Sequence, residues 1–95
     1  MRWSAGLVWR IEINPAAARE LQKLDPPVAR RITGFLRDRL AMLDDPRSIG
    51  EALKGASLGE LWKYRVGDLR VIASIEDQTV TVLVLQVGNR RAIYR

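Results

Sequence analysis

Two stretches of this 95-residue chain carry charged and phenolic side chains at spacings that bring them together: LWKYRVGDLR, residues 61–70, and VGNRRAIYR, residues 87–95. In LWKYRV, strand alternation puts Lys63 and Arg65 on one face and Trp62, Tyr64 and Val66 on the other. With Gly67-Asp68 as a two-residue hairpin connection, Val66 pairs with Leu69 and Arg65 lies opposite Arg70. Lys63 then sits opposite Ile72 on that same face. Like charges directly opposed across an antiparallel pair cost up to about 1 kcal/mol. A fold gains nothing from this convergence unless an anion is meant to sit among the cations. The competing reading is a turn displaced by one residue, or neutralisation by Glu60 and Asp68, which leaves a merely solvated charge run.

The second stretch supplies more of the same chemistry. Gly88 breaks the strand after Val87, and a short return segment carries Arg90 and Tyr94 back over the Lys63/Arg65/Arg70 face. Guanidinium groups, a lysine and a phenol suit recognition of a phosphate and stabilisation of charge developing on it. RNA phosphodiesters break by attack of the neighbouring 2′-hydroxyl. That reaction needs a base for the hydroxyl, cations for the transition state and an acid for the departing 5′-oxygen. Surrounding cations lower a tyrosine pKa from its ordinary value of about 10, which brings a phenol into this chemistry.

Composition narrows the choice of mechanism. The chain has no histidine and no cysteine, so the commonest general base, the commonest metal ligand and all thiolate chemistry are missing. No metal, zinc above all, and no cofactor is expected. Sixteen Lys/Arg against eleven Asp/Glu give a formal charge of +5, which favours polyanionic partners. No apolar run is long enough to span a bilayer, and MRWSAGLVWR is too short and too interrupted by polar residues for a signal peptide. No membrane association is expected, and the protein reads as cytoplasmic.

The elements that must position these residues form one domain, residues 1–95, with Met1–Gly6 a loose arm. LVWRIEI, Leu7–Ile13, reads as a first strand with Leu7, Trp9, Ile11 and Ile13 on one face. Asn14-Pro15 caps a helix over AAARELQKL, and Asp25-Pro26 repeats the device. From there Val28, Ile32, Phe35, Leu36, Leu40 and Leu43 recur at helical spacing up to Asp45-Pro46. Arg30, Arg31, Arg37 and Arg39 form the solvated face of this second helix. After a turn-rich stretch come strands at Leu61–Val66, Leu69–Ile75 and Thr79–Val87, the last apolar on both faces as a central strand would be. The order β-α-α-β-β-β predicts an α+β fold, a helical hairpin packed on a four-stranded antiparallel sheet. Trp9 and Trp62 fall on apolar strand faces and read as packing residues.

With these elements in place, LDPPVARRI, the EALKG turn, LWKYRVGDLRVI and VGNRRAIYR together resemble the RelE branch of the RelE/ParE toxin superfamily, from about Val8 to Arg95. The resemblance implies the toxin of a type II toxin–antitoxin pair, a ribosome-dependent endoribonuclease that cuts mRNA in the ribosomal A site. Its partners would be the ribosome, mRNA and a RelB-like antitoxin wrapping the toxin. Lys63 and Arg65 match the paired basic positions of the family, and Arg70 matches the arginine that stabilises transition-state charge. Arg90 matches the arginine after the Val-Gly pair, and Tyr94 the tyrosine that orients the substrate base. Three departures stand out. Arg65 replaces a lysine found in some members, which leaves Lys63 or Tyr94 as the base. Asn89 and Ala92 replace a basic and an acidic residue, and the chain stops one residue after Tyr94.

Two other functions fit the same scaffold. A ParE-like toxin poisons DNA gyrase without nuclease activity, and a non-catalytic RNA-binding module would use the cationic face alone. The full set Lys63, Arg65, Arg70, Arg90 and Tyr94 favours the nuclease, because gyrase-directed members generally lack most of it.

Overall fold

A computed structural model describes residues 2–3, 6–53 and 61–89. Arg90 and Tyr94 lie outside the described residues, as does Glu60. Asn14 opens the first helix, α1 (Pro15–Lys23): its side-chain oxygen accepts from the Ala17 N–H at 2.8 Å, with proline in the first turn. The second, α2 (Pro26–Gly34), also begins on a proline, although Asp25 makes no side-chain cap. Helical structure continues past Gly34 through a π turn at Phe35–Arg39 and a 3-10 turn at Leu40–Met42. The expected long helix is therefore present, with one widened turn. Widening rotates the residues beyond it, so that Leu40 and Ala41 are both fully buried beside Ile32 and Leu36.

Six strands among the described residues make one sheet: β1 (Arg2–Trp3), β2 (Arg10–Ile13), β3 (Glu51–Ala52), β4 (Leu61–Val66), β5 (Leu69–Glu76) and β6 (Thr81–Asn89), in the spatial order β1-β2-β6-β5-β4-β3. The α+β class and the helical hairpin are as the sequence predicts, but the sheet differs from the expected four antiparallel strands. It is mixed, because β2 runs parallel to β6. Alternation reveals a strand's faces and not its direction, so this pairing was not readable from the residues alone. Two short edge strands add to the number. Arg2 and Trp3 pair with Glu12 and Ile11, where a loose arm was expected, and Trp3 lies 6.0 Å beneath the Arg37 guanidinium.

Both helices cover one face of the sheet. Ala17, Leu21, Ile32 and Leu36 pack there against Ile11, Ile13, Tyr64, Val71, Val82, Val84 and Val87. Trp9 joins this core and its indole N–H donates to the Asp44 carbonyl at 3.2 Å. Trp62 packs against it from β4, as its strand face predicted. Arg30, Arg31, Arg37 and Arg39 are exposed, in keeping with a solvated helix face. Val82, Val84 and Val87 can share the core face only because the β5–β6 register shifts at Ile72/Ala73, where Leu85 is the extra residue. That bulge places Gly88 opposite Arg70, and β6 continues through Gly88 to Asn89 where a break was expected.

Candidate active site

The hairpin between β4 and β5 has the register that the sequence predicts. Gly67 takes φ +60, the left-handed region that glycine enters without strain, and Val66 pairs with Leu69. Arg65 then lies directly opposite Arg70, and Lys63 opposite Ile72. Because Trp62, Tyr64 and Val66 face the helices, all three cations belong to the opposite face.

There they line an open cavity of about 310 Å³ together with Ile49, Gly50 and Glu51. Arg65 is exposed, whereas Arg70 retains only 6% of its accessible surface. The Arg70 Nε is fully enclosed and has no hydrogen-bond partner among the described residues. A buried donor of that kind is costly unless something arrives to satisfy it. The next residue across the sheet is Gly88, which carries no side chain to fill the space beside the guanidinium.

Sequence reasoning missed the opposite wall. Glu51 on β3 pairs with Lys63, and its carboxylate accepts a hydrogen bond from the Lys63 ammonium at 2.9 Å. That bond, followed by the charges of Lys63, Arg65 and Arg70, holds the Glu51 carboxyl below its ordinary value. Among the described residues Glu51 is an acidic neighbour of the cluster; Glu60, which the competing reading of the sequence pairs with Asp68 in that role, lies outside them. A two-residue strand has no periodicity to betray it, and the one available signal was the acidic residue that opens EALKG.

The wall is fixed from behind. The Tyr64 hydroxyl, inside the core, donates to the Pro46 carbonyl at 2.9 Å. Burial pushes its pKa up to about 12, so Tyr64 is a neutral donor that anchors the 46–49 turn. Gly50 lies flat on the same ring: a Cβ there would sit 2.8 Å from a ring carbon. Arg47 adds a clamp, gripping Asp77 with both terminal nitrogens at 2.6 and 3.2 Å and Asp45 at 3.2 Å. Ile49, Gly50 and Glu51 are thus held beside β4.

The sequence profile of a family described as the ParE toxin of a type II toxin–antitoxin system, parDE, matches residues 11–94. Toxin RelE of Mycobacterium tuberculosis is 32% identical over 87 residues, spanning 92% of this chain and 87% of the relative. The chain belongs to the RelE/ParE family of type II toxins. Its fold agrees with that of RelE proteins. The toxin–antitoxin complex RelBE2 from Mycobacterium tuberculosis superimposes with a TM-score of 0.76 at 25% identity, over 92% of this chain and 95% of that one. The archaeal RelE–RelB complex from Pyrococcus horikoshii gives 0.71 at 28% identity, over 88% and 97%. In this RelE/ParE-family domain, then, Lys63, Arg65 and Arg70 meet in one cavity, while Arg90 and Tyr94 lie beyond the residues described. Among the described residues no helix is long and apolar enough to cross a membrane.

Proposed function

We propose that this toxin is a ribosome-dependent endoribonuclease that cuts mRNA in the A site and is held inactive by a RelB-like antitoxin. The observation that carries the reading is the Arg65–Arg70 pair. Two guanidinium groups face each other across a hairpin, one of them buried with an unmet donor, beside Lys63 in a cavity open to solvent. Such a site is poor for stability and well suited to a dianionic phosphorane-like transition state.

In this mechanism the scissile phosphate is bound among Lys63, Arg65 and Arg70, its 2′-hydroxyl attacks phosphorus, and the P–O5′ bond breaks. The protein's cations carry the charge, so the chemistry needs no metal ion. Arg90 and Tyr94 complete the site, Arg90 beside the departing oxygen and Tyr94 against the substrate base. The ribosome supplies alignment. The antitoxin covers the same cationic face until it is removed.

The family description, ParE toxin, favours a second reading in which the domain poisons DNA gyrase. One experiment separates the two: purified toxin added to programmed ribosomes with an empty A site, with cleavage mapped by primer extension. A cut at the A-site codon, slowed by about 10²-fold or more in Arg90→Ala and Tyr94→Phe, is the expected result. Intact mRNA with trapped gyrase–DNA cleavage complexes would overturn the nuclease in favour of the second reading.

A further inference from the structure

Strand β6 is apolar almost throughout, and between Thr81 at its start and Asn89 at its end Gln86 is the only polar residue. The bulge decides where that amide points. If β5 and β6 paired evenly beyond Ala73–Val84, Leu85 would fall opposite Ile72 and Gln86 opposite Val71, on the helix side of the sheet. The extra residue moves Gln86 one place along, so that it pairs with Ile72 and takes the other face. Val87 fills the core position opposite Val71, and Gln86 is exposed.

Two cross-strand rows then lie side by side on the face away from the helices. One runs Arg65, Arg70, Gly88 across β4, β5 and β6, and the other Lys63, Ile72, Gln86. Ile72 brings no polar group, so the second row presents an ammonium at one end and an amide at the other. Neighbouring strands are about 4.8 Å apart, which sets Gln86 about 10 Å from Lys63 along the row. Arg70, on the strand between them, is nearer still. A nucleotide whose phosphate rests among Lys63, Arg65 and Arg70 covers that span between its phosphorus and the edge of its base. Gly88 bears no side chain to stand in the way. The Gln86 side chain makes no hydrogen bond with the described residues, which leaves it a donor and an acceptor to offer.

We infer that Gln86 reads the base next to the scissile phosphate and selects adenine, an inference that rests on the cleavage reading above. A side-chain amide holds its donor and its acceptor side by side. The Hoogsteen edge of adenine answers with N7 as acceptor and the N6 amino group as donor, so both hydrogen bonds form at once. Guanine presents two acceptors there, N7 and O6, and leaves the Gln86 oxygen without a donor. A pyrimidine offers a single group on the corresponding edge. Single-stranded RNA exposes these edges to a side chain. Stacking by Tyr94 would cover the face of the base and leave its edge to Gln86.

The test is single-turnover cleavage on programmed ribosomes of an mRNA series in which each nucleotide flanking the cut is set in turn to A, G, C and U. Wild type, Gln86→Leu and Gln86→Arg are compared, with thermal melts verifying that each folds. Wild type should favour adenine over guanine at one flanking position by about 5- to 150-fold, the discrimination of one bidentate pair. Gln86→Leu should lose that advantage by slowing on the adenine message alone, cutting the guanine message as fast as wild type does. Gln86→Arg should turn the preference toward guanine, whose N7 and O6 match a guanidinium fork. Wild type that cuts with no preference for adenine would overturn the inference and leave the cleavage reading standing. So would a Gln86→Leu variant that keeps the preference or slows every message alike, since Gln86 would then serve only the strand. Wild type that cuts no mRNA would instead sink the cleavage reading, and this inference with it.

Discussion

On the cleavage reading Arg70 couples a stability cost to a function, and Arg70→Met tests both. The guanidinium is 6% exposed, its Nε lacks a hydrogen-bond partner among the described residues, and Arg65 faces it across the hairpin. An enclosed unsatisfied donor costs about 1–3 kcal/mol, and a directly opposed like charge adds up to about 1 kcal/mol. Methionine keeps the unbranched stem that packs in the sheet and removes both penalties. Replacing a buried charge by an apolar side chain of similar length is often neutral or stabilising. The variant should therefore be more stable than wild type by about 1–3 kcal/mol, a rise in melting temperature of roughly 4–8 °C for each kcal/mol in a domain of this size. Cleavage on programmed ribosomes should fall by about 10²-fold or more, the usual loss for one preorganised donor to a transition state. Urea titration and thermal melts measure the first effect, and single-turnover kinetics the second. A variant that melts lower than wild type yet still cleaves would refute the reasoning, because Arg70 would then be a structural residue.

The surrounding geometry sets three further outcomes. Tyr64→Phe leaves the Pro46 carbonyl unpartnered in the interior and should cost about 1–3 kcal/mol in a urea melt. The Tyr64 pKa is raised in the folded state, so its contribution is complete below pH 10 and is lost as pH rises through about 12. Wild type should accordingly lose stability across that alkaline window, and Tyr64→Phe should lack that component of the loss. Gly50→Ala places a methyl 2.8 Å from the buried Tyr64 ring, which cannot yield. The strand bearing Glu51 must shift instead, lowering stability by about 1–3 kcal/mol and slowing cleavage, both read on one preparation. Val80 occupies the left-handed region at φ 49, which strains a β-branched side chain. Val80→Asn should raise stability by about 1 kcal/mol in thermal melts without altering cleavage.

The legible features of this fold were local ones. A helix announces itself over four residues and a hairpin over two. Asn14-Pro15, the Val28-to-Leu43 stripe and Gly67-Asp68 were therefore enough to place both helices and the register that opposes Arg65 to Arg70. The parallel pairing of β2 with β6 was not legible, because a strand of alternating residues reads the same in either direction. Nor was the bulge at Leu85: an extra residue in an apolar run such as TVLVLQV leaves no gap in the pattern.

The sequence by itself determined which residues could handle a phosphate. Lys63, Arg65 and Arg70 are bound to one sheet face by the period of two and by the turn between their strands, whatever the rest of the chain does. Tertiary structure decided what those cations meet. Lys63 and Glu51 are twelve positions apart, and their contact exists because Tyr64, Pro46, Gly50 and the Arg47–Asp77 clamp press the 46–52 segment against β4. Core packing placed a carboxylate beside the site's lysine, and no local pattern could encode that, since the forces that hold Glu51 there act on its neighbours.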